Sequence, residues 1–237
     1  MTAGPPRNPS QAFLDQIEEA SETYAGNGYT VPTTPPLKLF EPATLDGTIP
    51  PPRRWIVEGL VPQGAVTMLG GDGGVGKTLL AQQLATAAVL GRDWLGAACA
   101  NVKALCLFCE DETEELHRRQ ESICEHYSVA MGDLDGLAWL PRTGENNVLM
   151  SFGEDGRGRQ SDLYGQLIGR AKEWGAQLVI LDSLHDVFSG NENYRGNARQ
   201  FISALRHIAL ELDGAVELTA HPSLTGISTG TGLSGST

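Results

Sequence analysis

One eight-residue run in this chain has the types and spacing to grip a phosphate chain. It reads Gly71-Asp72-Gly73-Gly74-Val75-Gly76-Lys77-Thr78, fits G-x-x-x-x-G-K-[ST], and stands between an apolar run and a helical pattern. Each part has a physical reason. Glycines let successive backbone N–H groups turn toward one anion without a Cβ in the way, and a helix N-terminus adds the positive end of its dipole. Lys77 supplies a point charge for β- and γ-phosphates, and the Thr78 hydroxyl is suited to ligate Mg²⁺. The bland alternative, a glycine-rich turn that happens to precede a helix, does not explain why strand, motif and helix fall in register.

Three further residues stand where such a motif needs them. Asp182 closes LVILD, four apolar residues and then an acid. At the C-terminal end of a strand next to the P-loop strand, that acid reaches the Mg²⁺ shell; alone, it would read as a solvated strand end or a cap. Glu110 follows VKALCLFC and opens Glu110-Asp111-Glu112. An acid at the tip of a strand beside the P-loop can hold and polarise an attacking water. The same stretch also reads as helix capping, since Asp111 with Glu114 resembles a capping box, and both readings can hold at once. His221 follows AVELTA. A neutral imidazole there could register the γ-phosphate, although a lone histidine is more often structural.

These residues need elements to position them. AVTML predicts a strand over 65–69, and 77–90 a helix closed by Gly91. Strands follow over 102–109, 137–141, 178–182 and 215–220, with helices near 113–128, around 163–174 and over 194–212 between them. Strands alternating with helices mean a mostly parallel sheet covered on both faces, hence an α/β fold. Residues 1–60 differ: most of the 13 prolines fall there, so little of the segment is helix interior or central strand. One short helix is expected after Ser10 in this N-terminal arm, which either packs on a domain or serves as a linker. The ATPase core is expected over 61–237.

Composition excludes other classes. The chain has 237 residues and a net charge of −12, so no broad basic face can be assembled and a nucleic-acid contact must be local. No apolar run approaches 18 residues and the N-terminus carries no leader pattern, which predicts a cytoplasmic protein without membrane contact. Cys106 and Cys109 form a C-x-x-C inside an apolar strand, and with Cys99 and Cys124 they read as small core residues rather than zinc ligands. The four tryptophans read as packing residues, and Arg118 and Arg119 as a solvated helix face.

The blocks GDGGVGKTLLAQQLA, CLFCEDETEELHRR, LVILDSLHDVF and AHPSLTGISTGTGLSGS, in that order, resemble the RepA-type branch of the RecA-like ATPases. The resemblance covers about residues 50–237 and implies a three-layer RecA-like fold that binds ATP and Mg²⁺. It further implies Glu110 as the water-activating acid, Asp182 as metal acid and His221 as γ-phosphate sensor. Lys77 and the loop 71–78 would hold the phosphates, and the loop 222–237 would face single-stranded DNA inside a ring or filament of identical subunits. The family continues past this loop, whereas SGST ends this sequence, so the expected core is truncated at its C-terminus. The loop has no Lys or Arg, so a DNA contact would rest on backbone and hydroxyl groups with a weak salt slope. The leading expectation is an ATP hydrolase, possibly a DNA helicase. Against it stand a P-loop kinase with the GRGR segment (Gly156–Arg159) as an arginine-bearing lid, and a nucleotide-binding fragment without turnover.

Overall fold

A computed structural model describes residues 37–190 and 194–221. The helix expected after Ser10 and the loop 222–237 lie outside the described residues. The chain divides into two compact units, 1–50 and 51–237. In the first, the described part contains a 3₁₀ turn, Pro42–Leu45, opened by a proline that pre-sets φ for the turn.

The second unit is built on five parallel strands: β3 (Val66–Gly70), β4 (Ala104–Phe108), β5 (Leu137–Pro141), β8 (Leu178–Asp182) and β9 (Ala215–Ala220). Their order is β3-β9-β8-β4-β5. This is the α/β, RecA-like P-loop architecture. Strands β4, β8 and β9 are buried at every position, which is why they read as continuous apolar runs rather than alternating ones. Two antiparallel hairpins flank the sheet, β1 (Trp55–Val57) with β2 (Val61–Pro62), and β6 (Met150–Phe152) with β7 (Gly158–Gln160). The GRGR segment overlaps β7.

Each face of the sheet has its own helices. On one lie α1 (Lys77–Leu90) and α2 (Thr113–Tyr127). Small residues on α1, among them Ala81, Ala85 and Ala88, let it settle closely onto β4 and β8 while its other side meets α2. Gly91 ends α1 with φ of 60°, and its N–H reaches the carbonyls of Ala87 and Ala88. On the opposite face, α3 (Asp162–Trp174) and α5 (Arg195–Glu211) bury Leu167, Ala171, Phe201, Leu205 and Ile208. A four-residue α4 (Leu184–Val187) follows β8 directly.

The strand order corrects one sequence expectation. Neither the Asp182 strand nor the Glu110 strand adjoins β3, because β9 pairs with β3 and separates it from both. Adjacent strands lie about 4.8 Å apart, so this displacement is substantial. It is recovered by α1, which leaves β3 through the glycine loop and leans across the sheet onto β4 and β8. The close approach of β9 to its surroundings is visible at Gly214, where a Cβ would collide with the Gln177 backbone.

Candidate functional site

Because the five strands are parallel, their C-terminal ends share one edge of the sheet, and the loops leaving them converge there. The loop after β3 is the glycine run. Gly74 and Gly76 adopt φ of 75° and 90°, the left-handed region that side chains disfavour, so the backbone can curl around an anion. Lys77 opens α1 and is largely buried, at 8% exposure. Its Nζ donates to the carbonyl oxygens of Gly71 and Asp72, both at 2.8 Å, and lies 3.2 Å from His221 Nδ1. An ammonium only donates, so Nδ1 is the acceptor and the His221 hydrogen resides on Nε2.

Asp182 is buried at the end of β8. The Thr219 hydroxyl donates to its Oδ1, while Oδ2 has no hydrogen-bond partner among the described residues. Burial raises its pKa above the ordinary aspartate value; the Thr219 and Thr78 hydroxyls pull it back, and the Glu110 and Asp111 carboxylates push it up again. Thr78 thus lies close enough to favour the ionised form without a well-formed hydrogen bond to Oδ2. A buried carboxylate oxygen lacking a partner, beside a hydroxyl, is a donor set that a hard divalent cation completes with water and phosphate oxygens. Among the described residues no cluster of three or more His, Cys, Asp or Glu could hold a metal by itself. This chain's own donors therefore fit a cation brought in with a phosphate chain.

Glu110, just past β4, accepts a hydrogen bond from Ser183 Oγ at 2.9 Å. The same hydroxyl lies 2.8 Å from Asp186 Oδ2, and its single hydrogen serves one carboxylate at a time. Ser183 follows Asp182 directly, so the tips of β4 and β8 are linked through the two residues that matter to them.

One cavity of about 290 Å³ collects these groups: Gly74, Gly76, Lys77, Thr78, Glu110, Asp182 and His221 all line it. Gly71, Asp72, Gly73 and Val75 of the loop are not part of that lining. Gly71 contributes through the carbonyl that holds Lys77. A Cβ on Gly73 would come within 3.9 Å of the His221 ring.

Two sequence readings change here. The first residue capping α2 is Glu112, which makes no side-chain cap bond, and Asp111 is instead paired with Arg119 at 2.5 Å. The capping box therefore does not form; a full guanidinium charge outcompetes a backbone N–H for the carboxylate. Arg119, read as part of a solvated face, lines the cavity, held by Asp111 and by Glu115 at 2.9 Å. Arg118 is the exposed member of the pair and, among the described residues, bonds only Glu115. The sequence offered only the i,i+4 pairing of Glu115 with Arg119, which a solvated helix face would show equally.

Other candidates fall away from the cavity. The GRGR segment does not line it. Cys106 belongs to the core under α1 and Cys109 to the core under α3 and α5, so the C-x-x-C pair points to opposite faces of the sheet. Burial pushes both thiols far above their usual pKa, which makes them poor ligands. Trp55 carries Arg53 over its ring at 5.6 Å, and Trp94 and Trp139 belong to the α1-side core. No described helix is long and apolar enough to cross a membrane.

A glycine loop, a buried lysine and two strand-tip acids around one phosphate-sized cavity define a P-loop ATPase of RecA-like fold. The chain also matches the AAA domain family over residues 33–226, most of its length. It belongs to that family.

Proposed function

We propose that this chain is the motor ATPase of a RepA-type assembly, hydrolysing ATP with Mg²⁺ while acting on DNA. The observation that carries the hydrolytic half is the convergence of Lys77, Thr78, Glu110, Asp182 and His221 on one cavity. Thr78 and Asp182 Oδ2 would hold Mg²⁺, which when bound neutralises charge on the β- and γ-oxygens. The Lys77 ammonium exchanges the carbonyls of Gly71 and Asp72 for phosphate oxygens, and the loop amides hold the rest of the chain. The Glu110 carboxylate orients a water and takes its proton as the water oxygen attacks the γ-phosphorus, while the bond from that phosphorus to the β–γ bridging oxygen breaks and ADP leaves with the electron pair. His221, with Nδ1 engaged by Lys77, keeps Nε2–H free to donate to a γ-oxygen.

The DNA half rests on the four sequence blocks that resemble the RepA branch. The loop 222–237 starts directly after His221, so its attachment point is the γ-phosphate sensor itself. Binding of single-stranded DNA by this loop, with ring or filament assembly of identical chains, is the coupling that this attachment favours.

Phosphate release from Mg-ATP, with and without single-stranded DNA, tests both halves. Release without any added acceptor, stimulated by DNA, is expected, and Lys77→Ala should abolish tight ATP binding. Unchanged nucleotide affinity in Lys77→Ala removes the central assignment. A rate indifferent to DNA removes the motor role, and transfer only to an added small acceptor makes the protein a kinase.

A further inference from the structure

The segment Gly156-Arg157-Gly158-Arg159 has no part in the phosphate cavity, yet its alternation is built into the fold. Side chains on a strand point alternately to its two sides. Gly158 faces inward, where a Cβ would come within 2.7 Å of Met150 Sδ and 3.1 Å of the Phe152 ring. Gly156 turns the hairpin with φ of 69°. The glycines thus let β7 press onto the core, and Arg157 and Arg159 are carried on the outer side, both exposed.

The first turns of α5 lie against this hairpin. The Gln200 side chain accepts from the Gly158 N–H at 2.8 Å and donates to the Gly156 carbonyl at 2.9 Å. Next to it, the Tyr194 ring lies 3.9 Å from where a Cβ on Gly156 would stand. Arg195 and Arg199 flank these contacts on α5, one helical turn apart and exposed. Each of the four arginines is therefore one residue from a contact across the seam. Among the described residues none of the four forms an ion pair, although acids outnumber Lys and Arg by 29 to 17 in the chain. By contrast, Arg54, Arg118, Arg119, Arg142 and Arg170 each meet a carboxylate. The hairpin's own acids, Glu154 and Asp155, leave an excess of two positive charges (four arginines against two acids), and Asp155 Oδ1 is turned onto the Arg157 backbone N–H at 3.1 Å.

We propose that this seam between β7 and α5 is a contact surface for single-stranded DNA, in addition to the loop 222–237. The inference rests on the DNA half of the function proposed above and gives it a site. Guanidinium groups present planar forks of donors that match phosphate oxygens, and Tyr194, 57% exposed, offers a face on which a base can stack. An acidic surface on a second copy would pair with the arginines but has no use for the exposed ring. A net charge of −12 repels a polyanion, so a local cationic strip decides where it lands.

The same hairpin is stitched to the catalytic edge. Leu149, just before β6, donates its N–H to the Val187 carbonyl at 2.9 Å, and the rings of Phe152 and Phe188 meet edge-on at 5.5 Å. Val187 ends α4, whose Asp186 shares the Ser183 hydroxyl with Glu110. DNA held at the seam therefore bears on the acid that orients water.

Anisotropy of a fluorescein-labelled oligodeoxythymidylate, titrated with protein over a range of KCl, tests the seam. A contact made by the loop 222–237 alone, without Lys or Arg, gives a weak salt slope, whereas each phosphate neutralised at the seam adds about 0.7 to the slope of log K against log[salt]. Arg157→Ala/Arg159→Ala should weaken binding at least about tenfold at low salt and lower the slope by about 1.4. Tyr194→Ala should weaken binding about tenfold with the slope unchanged, and Tyr194→Phe should bind as wild type. Arg92→Ala, an exposed arginine outside the seam, controls for net charge and should also bind as wild type. In the double arginine variant basal phosphate release should stay within about twofold of wild type, with its stimulation by DNA lost.

A double variant that binds like wild type, or a wild-type salt slope near zero, overturns the seam and leaves the loop as the contact. Loss of a wild-type oligomer in the DNA-free double variant makes the strip a contact between copies and overturns it as well. A basal rate that falls together with the stimulated one makes the arginines structural, with the same consequence. Wild-type protein that binds no oligonucleotide even at low salt defeats the DNA half of the function itself, and the seam with it.

Discussion

The two faces of the central sheet are equally buried and chemically unlike. Under α3 and α5 the core is mostly apolar: Leu107, Val179, Leu181, Val216 and Leu218 from the strands meet Leu167, Phe201, Leu205 and Ile208 from the helices, with the Tyr164 hydroxyl bonded to the Ala204 carbonyl and Asn197 of α5 as buried polar groups. Under α1 the strands β8 and β9 also send polar groups inward, Asp182 from one and Glu217 and Thr219 from the other, and all three are buried. Between α1 and α2, Gln82, Thr86 and Gln120 close a buried polar ring. Gln82 donates to Gln120 at 3.0 Å, Gln120 to Thr86 at 2.9 Å, and Thr86 to the Gln82 carbonyl at 2.9 Å. Even so, among the described residues Gln82 Oε1, Trp94 Nε1, Trp139 Nε1, Asp182 Oδ2 and Glu217 Oε2 remain without partners on this side, against Asn197 Oδ1 on α5. Each buried, unsatisfied polar group costs roughly 1–3 kcal/mol. The α5 face supplies stability, and the α1 face gives some of it up where the phosphate machinery is assembled.

The widest separation between the faces should come from Phe201→Ala. Phe201 is 1% exposed, and its ring lies 5.0 Å from that of Phe188. Losing it should cost about 3–5 kcal/mol of unfolding free energy in urea, through lost burial and the cavity left behind. ATP affinity of the folded fraction should be unchanged. If affinity falls in step with stability, the two faces are one unit and the contrast fails.

Glu110→Gln should behave in the opposite sense. The amide keeps the size and can still accept from Ser183 Oγ, so stability should change by less than about 0.5 kcal/mol. Turnover should drop by about 10²-fold or more with ATP still bound, a barrier increase of about 2.7 kcal/mol. A turnover within threefold of wild type would assign Glu110 to positioning Ser183 and nothing more.

What could be read in advance divides along physical lines. Elements written in local periodicity were legible almost to the residue: α1 spans Lys77–Leu90 as expected, and β5, β8 and β9 end where their apolar runs end. Phosphate binding was legible because eight consecutive residues carry it. The strand order was not, because β9 inserts beside β3 through pairing between residues about 150 positions apart, such as Val66 with Val216. The hairpins β1–β2 and β6–β7 have strands of two or three residues, too short to show a period. Arg119 was missed since a charged helix residue looks the same in sequence whether it faces water or a cavity. Glu217 was hidden differently, as a single acid within AVELTA, taken with its neighbours as one buried strand.

Glu217 provides the finest test of the contrast between faces. It sits at the centre of β9, paired in register with Thr67 and Ile180, and is 2% exposed. Burial, reinforced by the Asp182 charge, pushes its pKa from 4.5 up to about 8. Over that interval the folded protein keeps a proton that the unfolded chain has released, so ν_N exceeds ν_U and stability falls as pH rises. The slope from this one group is at most about 1.4 kcal/mol per pH unit, and it vanishes both below about 4.5 and above about 8, where the two states bind the same number of protons. Glu217→Gln has no proton to lose and should remove the slope. Urea unfolding of the two proteins at pH 5, 6.5 and 8 should therefore give nearly equal free energies at the lowest pH and a growing advantage for the variant above it. A gap that stays constant across the three would mean that Glu217 is ionised when folded, and that the α1 face tolerates a buried charge rather than a buried acid.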